Sequence, residues 1–244
     1  MKKRWFFLWL IPVSVLINLF VKNNANYAEF YAVNIYPFFV KTVGRLSFIT
    51  RSSAAELIIF VLIVTIIILT ALVTVGSIKY RTFEYIKKYI FGVASIISVV
   101  YFLFVLFCGI NYYRYEFTHY SGLEIQMSSK QELIELCELL IEDANEYRAR
   151  LKTHEGTAKL SDNSYYATAE RAGDFMESLS EEYEILKGNF SVPKPVRQSK
   201  IMSYFNITGV FFPYTFEANV NVHIPPYQIP FVMLHELVHL RGFM

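Results

Sequence analysis

Two uncharged apolar runs, Leu57–Val75 and Ile90–Ile110, constrain this chain more than anything else in it. A bilayer core needs about 20 consecutive apolar residues in helical form, and both runs reach that length. A third run, Phe6–Val21, is weaker because Pro12, Ser14 and Asn18 interrupt it. It follows Lys2-Lys3-Arg4 and has no small-x-small cleavage site before Lys22-Asn23-Asn24, so it reads as an uncleaved anchor and not as a signal peptide. The sequence therefore predicts three transmembrane helices, at about 5–21, 56–75 and 90–110, in a membrane domain covering 1–110. A second domain is expected over 111–244.

Composition agrees with this division. Hydrophobic residues make up 54% of the 244-residue chain, which is too apolar for an ordinary soluble domain. Residues 1–110 hold eleven Lys/Arg against three Asp/Glu, and residues 111–244 hold twelve against eighteen. The net charges of +8 and −6 sum to the overall +2. An acidic second half has no basic face for nucleic acid and excludes it as a partner. Lys79, Arg81, Lys87 and Lys88 crowd the short 76–89 connection, whereas the loop 22–54 spreads four basic residues over more than twice the length. The positive-inside rule then puts the N-terminus and 76–89 in the cytoplasm and everything after 110 outside the cytoplasmic membrane. Glu56 falls at the outer edge of the second span and reads as an interfacial residue. Two cysteines, Cys108 in an apolar run and Cys137 on the apolar side of a helix, read as small buried hydrophobes, with no disulfide framework.

In the second half, Ser129-Lys130-Gln131-Glu132 is a capping box. Leu133, Leu136, Cys137, Leu140, Ala144, Tyr147 and Leu151 follow at helical spacing and predict an amphipathic helix over about 130–152. A turn is expected from Gly156 to Asn163, and a second helix from about Tyr165 to Lys187, stopped by Gly188-Asn189. Val192–Val196 is extended, because each Pro restricts the residue before it. Ile207–Phe212 and Ala218–Ile224 read as short strands, and the alternation in Ala218–Val222 predicts one buried face. His119 and His154 fall in polar segments and are expected to be solvated.

The chain closes on Leu234-His235-Glu236-Leu237-Val238-His239, which contains His-Glu-x-x-His. On a helix, His235 and His239 lie one turn apart on one side and can share a Zn²⁺ ion. Glu236 then stands beside the metal, placed to take a proton from bound water. Phe231, Val232, Leu234, Leu237, Val238 and Leu240 make the segment almost wholly apolar, which predicts a buried helix. Buried polar groups need partners, and zinc would supply one. A zinc site of this kind needs a third protein ligand. The chain ends at Met244, five residues after His239, with no Glu beyond Glu236. The expectation is a chain truncated at its C-terminus, with an incomplete, weakly binding site and part of the last helix's apolar surface exposed. Glu217 and His223 are the nearby residues that can be weighed as a substitute ligand or a substrate-side residue, and Tyr214 and Tyr227 as oxyanion donors.

Several stretches together carry a family resemblance: Asn111–Arg114, Lys200–Ser203, Gly209–Asn221 and His235–Phe243. In this order they resemble a family of bacterial membrane proteins, domain-of-unknown-function family 3810. The resemblance implies membrane-anchored, zincin-like zinc metallopeptidases, with a further Glu ligand on a helix that follows. The expected fold is an α-helical membrane protein plus an α+β extracytoplasmic domain, mostly helical with a short β segment. The expected function is zinc-dependent hydrolysis of peptide bonds, with Glu236 as general base, His235 and His239 on the metal, the bilayer as anchor and a peptide or protein as substrate. A second class fits the same sequence: a non-catalytic sensor or assembly protein whose outer domain binds a peptide or protein partner.

Overall fold

The structure, a computed structural model, describes residues 6–150, 164–188 and 191–244. Lys2-Lys3-Arg4, Leu151, His154, the turn expected at 156–163 and the stop at Asn189 lie outside the described residues.

The chain is mostly helical with one small sheet. Helix α1 (Leu10–Lys22) leads into α2 (Ala25–Asn34) and α3 (Tyr36–Thr42). The two arms Phe6–Lys22 and Ala25–Thr42 are bent by 109°. Then come α4 (Ala54–Tyr80) and α5 (Glu84–Phe107), each long and apolar enough to cross a membrane. Among the described residues the candidate spans therefore number two, or three if the bent pair is one span. The Ile90–Ile110 run starts earlier and stops sooner as a helix than its hydropathy implies. Helix α5 ends at Phe107, and Gly109–Tyr113 tighten into a 3-10 turn with Ile110 buried.

Beyond α5 lie a short helix α6 (Thr118–Ser121), α7 (Lys130–Arg150) and α8 (Tyr165–Glu182). The Ser129 capping box forms as its residues require: the Ser129 N–H donates to Glu132 Oε2 at 2.7 Å and the Glu132 N–H to Ser129 Oγ at 3.2 Å. The apolar side of α7 finds no core, however. Leu133, Leu136, Leu140 and Tyr147 are all more than half exposed, and Cys137 is exposed instead of buried. Helix α8 stops at Glu182, short of the expected Lys187. Tyr183 turns extended and packs edge-on to Phe117 at 5.2 Å, and a 3-10 turn then buries Leu186.

Strands β1 (Lys194–Val196), β2 (Gly209–Phe212) and β3 (Glu217–Asn221) form one sheet in the order β1-β3-β2. Strand β1 runs parallel to β3 with Pro195 opposite Val220, and β2 runs antiparallel with Val210 opposite Asn219. A helix α9 (Ser199–Tyr204) joins β1 to β2. Strand β3 is shorter than the alternating pattern and is buried on both faces. Ala218 and Val220 enter the apolar core, while Glu217, Asn219 and Asn221 lie buried on the other side. Asn221 ends the strand. Its amide donates to the Ile207 carbonyl at 2.8 Å, and its side-chain oxygen accepts the His223 N–H at 2.7 Å, turning the chain away from the ladder.

The last helix, α10 (Ile229–Leu240), begins with Pro230 in its first turn, where the missing N–H costs nothing. It packs on β2, β3 and α8. Its Val232, Met233, Leu237 and Leu240 share one core with Tyr36 and Val40 of α3, Phe107 of α5, Met176 of α8, and Phe216. The expected exposed apolar surface on α10 is confined to Phe231, at 71%; its other large apolar residues are buried or half-buried. Residues 25–49, expected only as a loop between spans, contribute helices to this core. Its residues therefore come from both sides of position 110.

The sheet is tied to the head of α4 by two carboxylates. Ser53 Oγ accepts the Glu56 N–H at 3.0 Å as N-cap. Glu217 accepts the Ala54 and Ala55 N–H groups at 3.2 and 2.8 Å, so it satisfies further free donors of the first turn. It is fully buried and ion-paired with buried Lys194. Glu56 reaches back to accept the N–H groups of Arg197 and Gln198 at 3.1 and 2.8 Å.

Candidate functional site

Helix α10 carries the His-Glu-x-x-His residues, and its geometry separates their roles. His235 and His239 lie on the exposed side, with Nε2 atoms 3.1 Å apart and rings at 85°. Glu236, about 100° round the helix, is 4% exposed and faces β2. The expectation that all three are buried holds only for Glu236. The apolar residues of α10 fill the stripe against the sheet and α8, leaving Phe231 and His235 stacked on the outside at 6.2 Å.

The end of the helix orients His239. Gly242 has φ +81, the left-handed conformation that suits glycine. That turn brings the Phe243 carbonyl back to 2.6 Å from His239 Nδ1. Nδ1 must carry the proton to donate there, which leaves the Nε2 lone pair facing His235. A carbonyl on the far nitrogen is the usual way a metal-ligating imidazole is held. Tetrahedral zinc with Zn–N bonds of 2.0–2.1 Å needs its nitrogens roughly 3.3 Å apart, close to the observed spacing. Without a metal, the same spacing suits a hydrogen bond donated by His235 to His239.

The Glu236 carboxyl lacks a hydrogen-bond partner at Oε2 among the described residues. Burial pushes its pKa up to about 7, opposed by the Phe211 backbone N–H. Burial, and then the charge of His239, hold His235 below its ordinary value. Gly209 of β2 allows this approach: a Cβ there would overlap Glu236 Oε1 and lie 2.7 Å from Val232 Cγ1. A lone glycine in a strand pattern is a signal of close approach, and it was available in the sequence. The Phe243 carbonyl and the Phe211 amide were not, because backbone groups leave no residue signature.

The other candidates do not join the pair. Glu217 is committed to Lys194 and the first turn of α4. His223 sits beside Ser203, Nδ1 to Oγ 3.4 Å. The Tyr214 hydroxyl donates to the Val100 carbonyl at 3.1 Å, and Tyr227 is 71% exposed. Among the described residues, no three His, Cys, Asp or Glu side chains converge as a metal-binding group. The arrangement offers two imidazoles that meet on the outer side of the helix and, on the next residue, a buried carboxyl whose pKa is raised. Those are the parts for holding a dication and for moving a proton.

Fold and site together define a mostly helical protein with membrane-length apolar helices and a small sheet packed on a His-Glu-x-x-His helix. The chain belongs to the family described as "Protein of unknown function (DUF3810)", which matches residues 31–244. No curated protein and no solved structure matches it.

Proposed function

We propose that this protein is a membrane-anchored zinc metallopeptidase that hydrolyses peptide bonds outside the cytoplasmic membrane. The observation that carries the reading is the convergence of the His235 and His239 Nε2 atoms at 3.1 Å, with His239 fixed by the Phe243 carbonyl. His235 and His239 would hold Zn²⁺ together with a third ligand that the described residues do not supply; when bound, the ion polarises a carbonyl and acidifies water. Glu236 would take the proton from the attacking water and hand it to the leaving amine. A dication beside Glu236 favours its ionised, basic form, countering the effect of burial. Glu236 is 4% exposed, so its carboxyl is shielded from bulk water.

Titrated with zinc, the protein purified from its membrane should bind about one ion per chain weakly, and His235→Ala and His239→Ala should bind none. A zinc-free protein that stays folded and zinc-free on titration would end this reading. The outward orientation rests on the basic residues of the 76–89 connection. A periplasmic-type reporter fused after residue 125 should be active and one fused within 76–89 silent; the reverse pattern places the site in the cytoplasm.

A second reading is favoured by the exposed apolar side of α7, with Leu133, Leu136 and Leu140 each more than half exposed. Unpartnered surface of this kind marks interaction sites and suits a sensor or assembly protein that captures a partner without cutting it. That reading requires neither zinc nor Glu236.

A further inference from the structure

Residues of α2, α3 and the end of α8 line an open cavity of about 820 Å³. Arg241 lines it. Its side chain is nine-tenths buried, with 9% of the residue exposed, and its Nε has no hydrogen-bond partner among the described residues. Nor does a carboxylate pair with it there. A buried guanidinium without an anion is costly, and natural proteins seldom keep one without use.

The packing holds Arg241 in place. The guanidinium lies against Gly188, where a Cβ would overlap its Nη1 and push the side chain aside. Neighbouring Arg114 is already satisfied. It forms a 2.7 Å ion pair with Glu29, and its Nη1 donates to the Arg241 carbonyl at 3.0 Å. Lys41 and Lys187 also line the cavity, are exposed, and have no ion-pair partner among the described residues. Glu177 and Glu184 line it too, but both are exposed and neither pairs with Arg241. The charge left without a partner in the interior is therefore positive.

One more feature narrows the ligand. Tyr27, Phe30 and Val33 follow one another at three-residue steps along one face of α2, each 45–59% exposed, and Val33 reaches the cavity. Residues so spaced make one stripe. The stripe starts where the chain bends after α1, an arm apolar enough to count towards a span. An apolar track ending at an unpaired arginine and two lysines matches an amphiphile with an anionic head. Arginine's planar fork suits phosphate.

We propose that this cavity binds a phosphoryl group, delivered as the headgroup of an anionic phospholipid whose chains lie along α2. Arg241 makes the paired contact to the phosphate oxygens, and Lys41 and Lys187 close over it from the rim.

The test is thermal unfolding of the whole purified protein in neutral detergent. Phosphatidylglycerol, phosphatidylcholine or inorganic phosphate is added to the wild type and to Arg241→Gln. The expected result is an upward shift in Tm of several degrees for the wild type with phosphatidylglycerol, no such shift with phosphatidylcholine, and none with any addition to Arg241→Gln. A shift with inorganic phosphate that Arg241→Gln abolishes supports the phosphoryl site and assigns it a soluble source. No shift with either phosphate compound, or equal shifts in wild type and variant, overturns the proposal. Should Arg241→Gln fail to fold, the double variant Lys41→Gln/Lys187→Gln changes only exposed side chains and should cut the phosphatidylglycerol shift by at least half. An unchanged shift in it overturns the proposal as well.

Discussion

Glu236→Gln should retain the metal and lose hydrolysis by about 10²–10⁴-fold, the range for removal of a general base. The substitution keeps the shape of a side chain packed between α10 and Gly209, so the fold and the His pair should persist. What disappears is the ability to accept a proton from water. The measurement is cleavage of a fluorogenic peptide library by the purified wild type and variant, with zinc content determined on the same samples. Equal cleavage by both would sink the proposed mechanism whatever the zinc content. Zinc in both with no cleavage by the wild type would favour the capture reading.

The largest effect on stability is expected at Glu217→Gln. The wild-type carboxylate is fully buried, paired with buried Lys194, and bonded to two N–H groups at the head of α4. Removing its charge leaves the Lys194 ammonium in the interior with only neutral partners, the Ser47 carbonyl and Thr50 Oγ1. Breaking one side of a buried pair costs about 3–5 kcal/mol. Glu217→Gln should therefore lower stability by about that amount in denaturant or thermal unfolding, and Glu217→Gln combined with Lys194→Met should recover part of the loss. A single variant as stable as the wild type would mean that the pair does not hold the sheet to α4.

These two sites also mark what a sequence can and cannot disclose. The meeting of His235 and His239 was legible because it follows from spacing alone: one helical turn between them fixes which side chains meet. The capping box at Ser129 and the two long apolar helices were legible for the same reason, since each depends on neighbours within a few residues. Glu217 was not, because its partners Lys194 and Ala54 lie far away in the chain and meet it only through the sheet and the α4 junction. Strand β1 was read as merely extended, since parallel pairing with β3 leaves no local pattern. The alternation in β3 promised a solvent face, but it counted polar residues as exposed; Asn219, Asn221 and Glu217 are polar and buried, with other chain segments covering them. The apolar spacing of α7 was read correctly as a helix and wrongly as a core face, because periodicity gives the stripe but not what lies opposite it. Arg241 carried no motif, and only three-dimensional packing shows that its charge is buried without an anion.

The double tie at the head of α4 has a mechanical consequence. The helix has 27 residues, about 40 Å at 1.5 Å per residue, against a hydrocarbon layer of about 30 Å. A helix that outreaches its bilayer ordinarily tilts to hide the excess. Here one end is gripped at two points, by Glu217 and by the reach of Glu56 to the turn after β1. The helix acts as a lever welded at its fulcrum: its inclination is dictated by the sheet, and any change in membrane thickness that rotates it must also turn β3 and the helix packed upon it.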